Sequence, residues 1–234
     1  MRHAGLAIPE LLDKLEKFYG KQKPCWPIDP YESIVWWNCG YPPSDTACAK
    51  GWNKLKSEFG IEPHDLLEST PRKLASVLKA GGIVPELRAL RLKTIATQVR
   101  DEFGGDLRVA LAGPLSGARQ ILKQFPGIAD PGADRILLFA GITPIAAVPS
   151  NCAQVLPRVF DGQQQGTYRA NYRQTQLAIA GDVPETFDAR TRAYLLLKVH
   201  GQEICKRTNP KCEVCPASSK CAFFASHRRR GSMR

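Results

Sequence analysis

Apolar residues recur at helical spacing along nearly the whole chain, and no long stretch alternates with the two-residue rhythm of a strand. The spacing predicts an amphipathic helix over 8–20, IPELLDKLEKFYG, ending at Gly20. A Pro-rich linker, KQKPCWPIDP, leads to a strongly apolar helix over 31–40, YESIVWWNCG, which reads as central to a core. GYPPSD is a turn, with Ser44 or Asp45 placed to cap the next helix, ACAKGWNKLKSEFG. Thr70-Pro71 opens another helix, and Pro85 opens a long, basic one running to Gly105, since proline suits the first helical position. AGPLSGARQILKQF is a shorter helix, and FPGIADPGADRILLFAG is a turn followed by a helix. ITPIAAVPSN reads as extended, with a helix capped by Ser150 after it. YRANYRQTQLAIAG and FDARTRAYLLLKVHG are two further helices, and the basic end, HRRRGSMR, is expected to be disordered. The predicted class is all-α, without internal repeats.

Composition narrows the partners. A 234-residue chain with 43% hydrophobic residues can bury a proper core as one large domain or two small ones. No run of about twenty apolar residues is long enough to span a membrane. The formal charge of +11 points to a polyanion, most often nucleic acid. An anionic membrane surface fits less well, because no basic amphipathic helix stands out.

Cys205, Cys212, Cys215 and Cys221 follow the spacing C-x6-C-x2-C-x5-C within one loop-rich segment. Such a segment cannot bury enough apolar surface to hold itself together. No signal peptide opens the chain, so a metal site is favoured over disulfides. Zinc sites usually pair two close C-x2-C units, and here only the middle pair is close. Four thiolates are also the ligand set of a 4Fe–4S cluster, and the Cys-only set with uneven gaps favours iron–sulfur over zinc. Cys25, Cys39, Cys48 and Cys152 are scattered and read as reduced, mostly buried thiols.

In FPGIADPGADRILL, Gly127 supplies backbone freedom in a tight hairpin between two helices. Asp130 can cap the second helix, and Pro131 suits its first turn. Outward N–H groups at such a turn can hold a phosphate. The cysteine spacing and this hairpin together resemble the endonuclease III family of DNA glycosylases, whose hairpin reads L-P-G-V-G. Pro30-Tyr31-Glu32, Ser44-Asp45, Gly82-Ile83 and His200-Gly201 extend the resemblance over most of the chain.

The resemblance implies two helical domains flanking a DNA-binding cleft. One is a six-helix barrel with the helix-hairpin-helix, about 28–143. The other joins 1–27 to 144–234 and carries a 4Fe–4S cluster on the four cysteines. It implies that Gly127, Ile128 and Ala129 of the hairpin, and Lys206, Arg207 and Lys211 of the cluster loop, meet phosphates. Ile83 would be an apolar wedge in the duplex. Asn38 and Tyr41 are candidates for the pocket of a flipped nucleotide. The partner would be double-stranded DNA, damaged or mismatched, bound by a monomer without contact to a membrane. The compartment would be the cytoplasm, at the nucleoid, in a bacterium or archaeon, and intracellular otherwise.

The chemistry departs from the family. The lysine of L-P-G-V-G-R-K falls on Pro131, which has no amine to form a Schiff base. The aspartate of V-D-T-H, eighteen positions on, falls on Pro149, so the carboxylate that stabilises positive charge on the sugar is missing too. The glutamine that fills the gap left by the flipped base falls on Pro42. Asp130, Asp134 and Asn151 are weak substitutes. Asp130 reads as a helix cap, and Asp134 as a solvated helix-face carboxylate. The expected function is base-excision-repair type, a monofunctional glycosylase at most and without lyase activity. The alternative is a non-catalytic module that binds a DNA lesion or structure.

Overall fold

The computed structural model describes residues 6–42, 44–163 and 166–231. The chain divides into two units, Met1–Lys23 with Thr143–Arg234, and Pro24–Ile142. Among the described residues all regular structure is helical, as the spacing predicts, apart from an isolated bridge between Tyr41 and Gly82.

Residues 24–142 carry α2 (Pro30–Asn38), α3 (Asp45–Glu58), α4 (Pro63–Glu68), α5 (Pro71–Leu78), α6 (Pro85–Phe103), α7 (Leu107–Leu111), α8 (Leu115–Gln124) and α9 (Asp130–Phe139). Proline takes the first position of α2, α4, α5 and α6, where its missing N–H is not needed. Asp29, Ser44 and Thr70 cap α2, α3 and α5 by accepting from the backbone N–H of Glu32, Ala47 and Lys73. Helix α6 packs against α2, α4, α5 and α7. It buries Ala89, Leu92, Ile95, Ala96 and Val99 along one side. Removing a leucine side chain such as Leu92 from water contributes about 1.5–3 kcal/mol. Helix α2 buries Ile34, Val35 and Trp36.

The other unit joins chain segments far apart in sequence: α1 (Ile8–Tyr19), α10 (Val155–Asp161), α11 (Tyr168–Asp182), α12 (Phe187–Glu203) and α13 (Ala222–Gly231). Its core unites Leu11, Leu12 and Leu15 of α1 with Leu156, Val159 and Phe160 of α10 and Leu196 and Leu197 of α12. Arg192 on α12 ties α1 in place, reaching Asp13 at 2.8 Å and Glu16 at 2.9 Å. Two 3-10 turns, Cys212–Val214 and Ser218–Lys220, shape the loop before α13.

Two expectations change, and one helix is new. Ser150 caps nothing: α10 begins at Val155 with Gln154 before it, and turns occupy 150–153. Helix α13 continues to Gly231, so the basic end is helical that far, and 232–234 lie outside the described residues. Helix α4 is too short for apolar periodicity to reveal. It is set by Pro63 and a reciprocal box in which the Glu62 N–H donates to Asp65 Oδ2 at 3.0 Å.

Candidate nucleic-acid interface

The hairpin is built as Gly127 requires. Its φ of +81° is a conformation that favours glycine, with the Asn38 amide and the Trp37 ring next to the space a Cβ would fill. The Ile128 N–H closes the turn onto Phe125 O at 3.2 Å, and the Ile128 side chain is buried. Ala129 stands exposed as the residue before α9, so Asp130 is the first helical residue and not the cap. Its Oδ1 instead lies 2.9 Å from Lys123 Nζ on α8. Asp134, one turn on, is no solvated carboxylate. It is fully buried and paired with Arg119 at 2.7 Å. Asn38 is buried as well, and its Nδ2 donates to Ile34 O and to Pro126 O, both at 3.0 Å. That amide joins α2 to the hairpin.

A second surface lies in the same unit. Tyr41 and Ile83 are held side by side: the Tyr41 N–H donates to Gly81 O at 2.9 Å and the Ile83 N–H to Tyr41 O at 3.1 Å. The Ile83 side chain is 60% exposed, and Tyr41 and Val84 are exposed beside it.

In the other unit, a pocket of about 360 Å3 gathers Ser150, Asn151, Gln154, Tyr168, Asn171, Lys206 and Arg207 among its lining residues. Asn151 and the two basic residues of the cysteine loop thus share one concave surface. Sequence reasoning missed Gln154, Tyr168 and Asn171, whose roles depend on the fold. Gln154 Nε2 donates to Asn151 O at 3.2 Å and to Cys205 O at 2.9 Å, fixing one side of the pocket. Lys211 is exposed, and its N–H donates to Ile204 O at 2.9 Å. Pro149 is buried, and its carbonyl accepts from the Cys152 N–H at 3.1 Å.

Cys205, Cys212, Cys215 and Cys221 line one small apolar pocket, together with Val159, Ile204 and Phe223. Arg158 organises it. One guanidinium nitrogen, Nη1, donates to Lys206 O at 2.7 Å and lies 3.7 Å from Cys205 Sγ, while Nη2 donates to Arg207 O at 2.8 Å. Its face lies over Phe223, 4.9 Å from the ring centre. The buried His200 completes the wall, with Nδ1 3.0 Å from the Tyr19 hydroxyl and Nε2 3.7 Å from Cys215 Sγ. Burial lowers the His200 pKa to about 4 and raises the Cys215 thiol to about 11. Among the described residues no three His, Cys, Asp or Glu side chains come together as the shell of a single metal ion. No helix there is long and apolar enough to cross a membrane.

The architecture has known counterparts. A trapped endonuclease III–DNA covalent intermediate superposes with a TM-score of 0.74, covering 95% of this chain and 97% of that one at 17% identity. The chain has the endonuclease III fold. A thermostable thymine-DNA glycosylase shares that fold, with a TM-score of 0.70 at 20% identity over 94% of this chain and 97% of the other. By sequence, a thymine/uracil-DNA glycosylase of Pyrobaculum aerophilum is 23% identical over 168 residues, 71% of this chain and 69% of the relative. No family model matches. Within the endonuclease III fold, Pro131 is the second residue of α9, half-buried, and Pro149 precedes the turns that lead to α10.

Proposed function

We propose that this chain is a base-excision-repair type DNA-binding protein that acts on damaged or mismatched duplex as a monofunctional glycosylase at most. The observation that carries the reading is the hairpin: an exposed turn at Gly127 before α9, in a chain of endonuclease III fold with a formal charge of +11. Gly127 and Ala129 offer backbone N–H groups to one phosphate, while the Ile128 N–H holds the turn closed on Phe125 O. Lys206, Arg207 and Lys211 meet others, and Asn151 lies in the pocket that Lys206 and Arg207 line. Ile83 is the wedge, and a monomer suffices for this contact.

The four cysteines fit a 4Fe–4S cluster. Their thiols line one apolar pocket, and the Cys-only set with its uneven gaps favours iron–sulfur over zinc. Cys205, Cys212, Cys215 and Cys221 would hold the cluster, with the Arg158 guanidinium offsetting its charge. Bound, the cluster would supply a covalent cross-link that orders the loop carrying Lys206, Arg207 and Lys211.

A purely binding role is the second reading, and a specific observation favours it. Asp130 and Asp134, the carboxylates nearest in sequence to the missing lysine, are each paired with a basic residue on α8. A base-release assay over damaged and mismatched duplexes separates the two, with binding measured in parallel against salt. The expected result is tight, salt-sensitive binding, with base release confined to lesions whose base is a good leaving group. Changing Arg207 and Lys211 to Ala should reduce the salt slope by about one unit for each phosphate no longer neutralised. An unchanged slope would remove the cysteine loop from the interface.

A further inference from the structure

Among the described residues Arg88 is the most deeply buried arginine, at 1% exposure, and its guanidinium is held by backbone carbonyls. Its guanidinium donates to four backbone carbonyls on two separate chain segments. Nη1 reaches Cys39 O at 2.6 Å, just past the end of α2. Nη2 reaches Leu78 O at 2.7 Å and Gly82 O at 2.8 Å, and Nε reaches Ile83 O at 3.1 Å. Four of its five N–H donors are therefore used, on both edges of one rigid plane. Around it the two segments touch with no room to spare. A Cβ at Gly81 would overlap Cys39 O, and one at Gly82 would overlap Tyr41 O. Val84, next in the chain, is held left-handed at φ +51°, which a β-branched residue adopts only when its surroundings impose it. On the far side, facing solvent, stand the side chains of Tyr41, Ile83, Val84 and Leu87.

A buried cation satisfied by carbonyls alone is an expensive way to close a loop. A leucine in its place would pack without the cost of desolvating a charge. What the guanidinium supplies that packing cannot is direction, since four planar hydrogen bonds fix two loops relative to each other.

We infer that Arg88 is the positioning residue for the probing surface of this protein, holding Tyr41 and Ile83 in the pose with which they press into an unstacked base step of the duplex. The inference rests on the DNA-binding reading above. An apolar wedge separates stacked bases only if it does not give way when pushed, and this one is backed by Arg88 through the Ile83, Gly82 and Cys39 carbonyls. Arg88 itself lies beneath the surface and touches no DNA.

The test uses the full chain, as R88K and I83A, separately and combined, against duplexes that carry 2-aminopurine beside a mismatch. Lysine keeps the charge but presents a point donor that cannot bridge carbonyls on both edges of the plane. The fluorescence rise on unstacking should fall at least fivefold in R88K. Duplex affinity at the hairpin and its salt slope should stay within twofold of the parent. I83A should show the same fluorescence loss, and R88K with I83A should lose little more than either alone, because the two act as one unit. Faster amide exchange in R88K at Tyr41, Gly82 and Ile83, with the hairpin unchanged, would accompany this. Retention of the parent fluorescence by R88K overturns the inference while leaving the DNA reading intact. Equal loss of affinity and fluorescence in R88K also overturns it, since that is a merely structural residue. If the unmodified protein neither binds the duplex nor perturbs 2-aminopurine, the DNA reading fails and takes the inference with it.

Discussion

Asp134 on α9 and Arg119 on α8 are joined across the hairpin at 2.7 Å, with the carboxylate wholly removed from solvent and the guanidinium only partly so. A second pair, Lys123 with Asp130 at 2.9 Å, links the same two helices at the surface. The hairpin is therefore stapled twice. Both acids that the sequence offers as weak catalytic substitutes are drawn into holding the hairpin in shape.

The two staples should differ sharply in worth. Arg119→Ala leaves a buried carboxylate without its ion-pair partner and should destabilise the protein by about 3 kcal/mol. Lys123→Ala breaks an exposed pair and should cost less than about 1 kcal/mol. Urea unfolding of the two variants measures the difference. Equal, small losses would mean that Asp134 is reached by water when Arg119 is removed and that the inner pair is not a staple.

How much of this is legible in the sequence depends on the range over which each feature is encoded. Caps and starts are local, and Ser44, Thr70 and the prolines at the heads of α5 and α6 stand where the sequence puts them. Gly127 can be read because a positive φ is a property of one residue. Asp134 reads wrongly as solvated because its partner lies 15 residues away on another helix. A helix-face carboxylate looks solvated until the facing helix is known. Arg88 does not stand out among the basic residues of α6 for the same reason: its acceptors sit at 39, 78, 82 and 83, and only the fold converges them. The pocket that gathers Asn151 with Tyr168, Asn171 and Lys206 is of this kind too.

Iron and sulfide should co-purify with the protein and colour it yellow-brown, because four thiols line one pocket around a loop that has little core of its own. Cys212→Ser should bleach the colour. It should also lower the stability of the unit formed by 1–23 and 143–234, since Cys212 sits in the 3-10 turn that shapes the loop. Metal analysis of protein made anaerobically decides the point. One equivalent of zinc with no iron would replace the cluster with a single-ion site.

The last prediction concerns strand cleavage. In the endonuclease III family, an amine after the hairpin attacks the sugar of an abasic site and forms a Schiff base. The sequence resemblance puts Pro131 at that position, and its nitrogen is a tertiary amide that cannot act as the nucleophilic amine. Borohydride should therefore trap no covalent complex between this protein and abasic duplex. Supplying the missing groups as Pro131→Lys together with Pro149→Asp should create measurable trapping. Pro149 is buried, and aspartate keeps the carbonyl that accepts from the Cys152 N–H but adds the cost of burying a carboxylate. Pro131 is the second residue of α9, so its replacement should weaken that helix start modestly, by about 1 kcal/mol or less. Robust trapping by the unmodified protein would show that another lysine performs the attack, and the family position would no longer mark where the chemistry happens.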